Sequence, residues 1–413
     1  MSRARPRVGV LAVPWVGVPP AGTGSVSRVV HELSRATADR LDLRIVSGPG
    51  RRSPGAELPG VIYNQLSDPV EEKVARRLRR GLARVGVGSD PHPYHSRWFS
   101  AWYALQAGRW FAAQRCQVVI VEEFPQWLPL VGRALPGVPL VLHAHSMFVL
   151  GGPDRLLSAC RSADGIITVS DYLRRGFERR LPSLAGRIAT VRNGVDVEEF
   201  RPDPCRPREP ATVAYVGRVT PEKGIHVLVD AIARLAPARP DLRLVVAGPA
   251  GSSDPRLWGS IGVDPARSAE LMALRTHYPR RLGERAGPFA ERVEVVGPLA
   301  QQDVIDLLRR CTVLVQPSVC AEGFGLAPAE ALACGAPVIV TDLGALPEVV
   351  AAGRLGKVVP AGDSGALAAA LADVIDRPAR PAVFDDAGAA DFRAGASWET
   401  SGDALVAALG TLT

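Results

Sequence analysis

Residues 313–340 read VLVQPSVCAEGFGLAPAEALACGAPVIV, and the fold follows from this stretch. Val313–Gln316 is an apolar run of the length of one buried strand. The loop Glu322-Gly323-Phe324-Gly325-Leu326 comes next. Pro328 then stands near the start of a short helix and Gly335 just past its end, the expected proline-first, glycine-last order. Residues 337–341 (PVIVT) form a second buried strand. The loop therefore lies at the carboxyl end of a parallel strand, where open α/β sheets bind ligands. Gly323 and Gly325 let the backbone come close to a bound group and aim N–H groups at it. Glu322 and Glu330, eight residues apart, suit acceptance of hydrogen bonds from the hydroxyls of one ligand. The bland alternative is an ordinary turn with two solvated glutamates.

At 413 residues the chain is too long for one ordinary core, so two domains are expected. Hydrophobic content of 47% with 22% charged residues describes a globular protein. No apolar run reaches membrane-spanning length. The opening residues have a basic start and an apolar stretch, but Pro14, Trp15 and Gly17 interrupt it. It reads as a first strand rather than a secretory signal. The six cysteines are scattered, with no spacing suited to zinc, which predicts a reduced, cytoplasmic protein and no metal. The net charge of +7 is nearly all arginine; Lys73, Lys223 and Lys357 are the only lysines. No nucleic-acid-binding motif accompanies that charge, so an anionic small molecule fits it better than a nucleic acid.

Residues 7–13, a glycine-rich loop, a helical pattern over 25–38 and an apolar run at 41–46 make a Rossmann-like opening. Gly22 and Gly24 precede the helix, where a phosphate is favoured, although a lone glycine pair also serves as a flexible loop. Residues 49–70 read as irregular. Residues 71–85 form an arginine-rich amphipathic helix, more simply a solvated face than a membrane-surface element. The aromatic cluster after residue 91 reads as a loop entering a buried helix, with an acceptor pocket as the alternative. Strands at 118–121 and 139–142 follow, the second running into His143-Ala-His145. The two histidines are expected to point to opposite faces, so that at most one of them faces a site.

After the proline-rich linker near residue 203, a strand at 212–216 ends in Gly217-Arg218-Val-Thr-Pro-Glu-Lys223-Gly224. Arg218 and Lys223 suit a pyrophosphate, one bidentately and one as a point charge. Residues 250–290 form a long connection. Val293–Val296 reads as a strand leading to the turn Gly297-Pro-Leu299, and the chain ends in an amphipathic helix from Trp398.

These motifs resemble retaining glycosyltransferases of the GT-B fold, family 4: the E-x7-E segment of Glu322 and Glu330, the G-R-x4-K-G loop and the Asn193-Gly-Val-Asp196 segment. The resemblance implies two Rossmann-like domains facing each other across a cleft, an acceptor domain over 1–200 and a donor domain over 201–389. A final helix, 390–413, would return to the first. It implies transfer of a sugar from a nucleoside diphosphate, UDP favoured, to a hydroxyl of a natural-product, cyclitol or lipid acceptor. His145 would serve at the transferred sugar, and Arg218, Lys223 and backbone N–H groups at the leaving diphosphate. Glu322 would hold the sugar, Glu330 the ribose and Leu299 the base. No resident cofactor or metal is implied, and peripheral membrane contact is not favoured. An epimerase on the same fold remains the main rival. A NAD-dependent oxidoreductase lacks its G-x-G-x-x-G, and intact polar motifs disfavour a non-catalytic coat protein.

Overall fold

The computed structural model describes residues 5–20, 24–50, 53, 55–67, 92–96, 98–251, 254–376 and 386–412. Gly22 and the amphipathic stretch at 71–85 lie outside them. The chain forms two compact units, Met1–Arg192 with Trp398–Thr413, and Asn193–Ser397.

Unit 1 is built on β1 (Arg7–Leu11), β2 (Asp42–Ser47), β3 (Ile62–Gln65), β4 (Val118–Glu122), β5 (Leu140–Ala144), β6 (Gly165–Thr168) and β7 (Ile188–Thr190). They lie in the order β3-β2-β1-β4-β5-β6-β7, all parallel. The chain runs outward from β1 in one direction, then returns to place β4 on the other side. The switch point is therefore at the carboxyl ends of β1 and β4, the usual ligand crevice of such sheets. β4 and β5 are buried along their whole length, as strands covered on both faces must be.

Unit 2 repeats the design with β8 (Thr212–Val216), β9 (Arg243–Ala247), β10 (Val293–Gly297), β11 (Val313–Gln316), β12 (Val338–Thr341) and β13 (Lys357–Val359). Their order is β10-β9-β8-β11-β12-β13, again parallel. Its switch point lies between β8 and β11, the two strands that end in the G-R-x4-K-G loop and the E-x7-E segment.

One expectation is corrected and two are given detail. Residues 49–70 are not irregular throughout, because Ile62–Gln65 pairs with β2 as the exposed edge strand. Its alternation is too weak to read alone. The long 250–290 connection folds into helices Ser268–Leu274 and Tyr278–Ala286, which bury Leu271, Tyr278 and Leu282 in the unit 2 core. The units also divide a few residues from the expected boundaries. The Val195 N–H bonds the Ala396 carbonyl at 2.7 Å, and Val195 and Phe200 bury in a unit 2 cluster, tying both ends of the crossing to unit 2.

The helix Trp398–Leu412 closes the unit 1 core. Trp398, Leu405, Leu409 and Leu412 pack with Val8, Val10, Val29 and Leu33. Arg40 of unit 1 holds Asp403 at 2.5 Å.

Candidate functional site

In unit 2, three loops converge on Glu322. Lys223 Nζ lies 2.6 Å from Glu322 Oε1. The Ser318 hydroxyl donates to the same oxygen at 2.6 Å, and Gln316 Nε2 lies 3.4 Å from it while donating to Ser318 at 3.0 Å. The Lys223 and Glu322 side chains are 13% and 17% exposed. Burial opposes ionisation of both, but each outweighs it for the other: the Glu322 carboxyl is held below, and the Lys223 ammonium above, its ordinary range. The pair is ionised, with Oε1 as the shared acceptor.

Close backbone approach builds this arrangement. Gly224 has φ of 70°, and a Cβ there would strike the Pro317 carbonyl. Gly344 has φ of 66° and abuts the Glu322 backbone, whose carbonyl accepts the Ala345 N–H at 2.9 Å. Both positions need glycine. On the Gly217–Gly224 loop, the Tyr215 hydroxyl donates to the Arg218 carbonyl at 2.7 Å. Arg218 itself is 56% exposed, with Nη1 3.5 Å from buried Glu222. Two cations thus stand on one loop, one fixed and one free to swing.

Gly323 and Phe324 follow Glu322, Gly325 caps the helix Leu326–Ala333, and Glu330 is buried on that helix. Leu299, after β10, lines an open cavity with Val245, Val296, Arg206 and Asp306.

In unit 1, Gly24 caps the helix Ser25–Thr37, and its carbonyl accepts the Arg28 N–H. His145 stands just past β5. The expected opposition of His143 and His145 does not hold, because residues i and i+2 along a strand lie on the same face. Both rings meet Glu122 Oε2, His143 through Nδ1 at 3.1 Å and His145 through Nε2 at 2.5 Å. Burial pushes the Glu122 carboxyl up, yet the two imidazoles carry it down to about 2. Burial lowers His143. It also opposes charging of His145, but Glu122 and Glu123 raise that ring above its ordinary value. The adjacent Glu123 accepts the His145 backbone N–H at 2.7 Å and also the Ser146 hydroxyl. One carboxylate and two imidazoles within 4.8 Å of one another form a donor set that would suit a divalent cation. Here the carboxylate bonds both rings directly.

Around it lies an aromatic group. Trp15 stacks on Tyr94 at 5.2 Å and 7°, meets the edge of Phe124 at 5.6 Å, and keeps 45% of its surface exposed. Phe124 directly follows Glu123.

Two parallel doubly wound units, each with polar side chains at its switch point, define the GT-B class of glycosyltransferase. The family described as Glycosyl transferases group 1 matches residues 196–391, and Glycosyltransferase Family 4 matches residues 26–199. D-inositol 3-phosphate glycosyltransferase 1 of Catenulispora acidiphila is 34% identical over 302 residues, covering 67% of this chain and 68% of that protein. D-inositol 3-phosphate glycosyltransferase 2 of the same organism is 29% identical, covering 92% of this chain and 89% of that one. Among solved structures, Alr3699/HepE of Anabaena in complex with UDP superposes with a TM-score of 0.71 at 17% identity, over 98% of this chain and all of that one. The chain belongs to the family 4 glycosyltransferases of the GT-B fold.

Of the residues singled out from sequence, Lys223 and Glu322 meet directly, and Arg218, Gly217 and Gly323–Leu326 share their loops. His145 belongs to the other unit. Sequence reading missed Glu122, Glu123, Gln316, Ser318 and Tyr215. The first two carried a legible signal, a doubled carboxylate closing the apolar run VVIV.

Proposed function

We propose that this glycosyltransferase moves a sugar, a hexose or amino-hexose, from a UDP-linked donor to a hydroxyl of a small ring-shaped polyol such as a cyclitol, with retention and without a metal. The observation that carries the reading is the Lys223–Glu322 pair with Arg218 at the unit 2 switch point. Breaking the sugar–phosphate bond puts negative charge on the departing diphosphate. Lys223, held in place, and the more exposed Arg218 are the side-chain charges suited to meet it, in place of a metal ion. Glu322 uses Oε1 on three protein donors, and its second oxygen suits a sugar hydroxyl. No side chain in these loops is an evident nucleophile, so the route is front-face displacement, the leaving phosphate taking the acceptor proton. Glu330 would hold the ribose.

The acceptor reading rests on Trp15. Its indole is braced by the Tyr94 and Phe124 rings, and its exposed surface suits the C–H face of a cyclitol or sugar ring. The related inositol phosphate enzymes make such an acceptor reasonable. The same reading places the reaction in the cytoplasm. Among the described residues no helix is long and apolar enough to cross a membrane.

The test is a thermal-shift screen against UDP-, GDP-, ADP- and dTDP-sugars, followed by incubation with the stabilising donor, with and without cyclitols, in the presence of a chelator. Stabilisation by a UDP-sugar and an axial-to-axial product by NMR support the proposal. Sugar epimerised without acceptor marks an epimerase, and an inverted product or loss of activity in chelator overturns the mechanism.

A further inference from the structure

The carboxyl ends of β4 and β5 are joined by more hydrogen bonds than two neighbouring turns need. Glu123 has φ of 64°, a conformation that side chains other than glycine rarely adopt. That turn sends the consecutive carboxylates Glu122 and Glu123 to the same short segment, His143–Ser146. Glu123 holds its backbone through the His145 N–H, and Glu122 holds its rings. Strained backbone of this kind persists only when its surroundings over-determine it, and it gathers at functional sites.

The chemistry of the pair settles which atoms do what. An ionised carboxylate only accepts hydrogen bonds. His145 must therefore donate to Glu122 through Nε2–H, and His143 through Nδ1–H. His143 is then used up: its Nε2 is buried and has no partner. His145 differs, because its ring keeps a small exposed part and no described residue bonds its Nδ1.

We propose that Glu122 is a positioning residue for the transfer reaction: it pins His145 by Nε2 and leaves Nδ1 as the ring nitrogen offered to substrate. The proposal rests on the glycosyltransferase reading with His145 at the sugar. A side chain fixed at one end by a buried carboxylate presents the other end in a single rotamer, and pre-organisation of that kind lowers the reorganisation needed at the moment of transfer. Glu123 fixes the backbone of the same residue. The unit 2 loops take no part, so donor affinity is separable from this effect.

Two measurements test it. The first needs no variant and no activity: a long-range proton–nitrogen spectrum of protein labelled with 15N-histidine, with His145 assigned by His145→Asn. A ring proton on Nε2 of His145 at a pH where the ring is neutral supports the proposal, and a proton on Nδ1 alone overturns it whatever the reaction proves to be. The second compares Glu122→Gln and Glu122→Asp with the parent enzyme. Glutamine fills the same space but its amide either donates or accepts, so it permits both tautomers; aspartate keeps the charge at a shorter reach. The expected result for Glu122→Gln is a loss of kcat of about a hundredfold, with KM for the donor and the thermal shift given by UDP unchanged. Glu122→Asp recovers part of that loss. Full kcat in Glu122→Gln, or equal falls in kcat and in UDP-induced stabilisation, overturns the positioning role and leaves the family assignment standing. If Glu122→Gln does not fold, the spectrum of the parent enzyme decides the matter alone.

Discussion

Lys223 and Glu322, ninety-nine positions apart, hold each other at 2.6 Å across the switch point of unit 2. The residues expected to meet a diphosphate and a sugar thus meet each other, and each favours the charged form of the other.

Lys223→Ala and Glu322→Ala are each expected to lower kcat by about a hundredfold or more, the scale for losing one fixed charge-stabilising group. Glu322 keeps Ser318 and Gln316 as partners in the lysine variant, so the protein stays folded. Steady-state kinetics with circular dichroism check this. Full activity in either variant removes these residues from the site.

The pair also sets a pH window. The lowered Glu322 pKa contributes stability above the ordinary value of 4.5, lost as pH falls through the folded value. The raised Lys223 pKa contributes stability below the ordinary 10.5, lost as pH climbs through its folded value. Denaturant unfolding of the parent and of Glu322→Gln should differ by a constant amount between about pH 5 and pH 10. Below pH 4.5 the gap closes; a gap that widens there contradicts the assignment.

Arg208 is a structural cation that the linker composition hid. Its guanidinium donates to the carbonyls of Cys311 at 2.9 Å, Arg309 at 3.3 Å, and Leu308 and Cys334 at 3.4 Å. It thereby ties the end of the helix Gln301–Arg310 to the end of the helix Leu326–Ala333 that carries Glu330. Arg208→Met should destabilise unit 2 by about 3 kcal/mol, the scale for buried carbonyls losing a charged donor. Equilibrium unfolding measures it; a change within experimental error removes Arg208 from this role.

Trp15→Ala should raise acceptor KM about five- to tenfold, the scale of one lost aromatic face. Donor KM should not move. Substrate-saturation kinetics with each substrate varied in turn distinguish the two.

Most of the strands were legible because parallel strands buried on both faces read as short apolar runs. VVIV, VLVQ and VIVT stand out on that ground. Ile62–Gln65 did not, because an edge strand in partial contact with water lacks the run. The unit 2 loops were legible through glycine and charge spacing, which needs no tertiary knowledge. Glu122 was legible as half of a doubled carboxylate, but its partners were not, because they depend on a left-handed turn at Glu123. The two histidines were expected to diverge, but residues i and i+2 of a strand share a face, and His143 and His145 accordingly converge on Glu122. Arg208 was hidden for a similar reason, since its partners are carbonyls of distant helix ends.

The helix Trp398–Leu412 carries a consequence for how the molecule is made. Synthesis proceeds from the N-terminus, so every residue of unit 2 is added to the chain before Trp398. Unit 2 is continuous and free to fold as it emerges. Unit 1 is interrupted, and its apolar face around Val8, Val29 and Leu33 must wait, uncovered, for the segment that seals it. The nascent chain therefore carries a continuous unit 2 beside an unfinished unit 1, and it is the waiting unit that a chaperone would find.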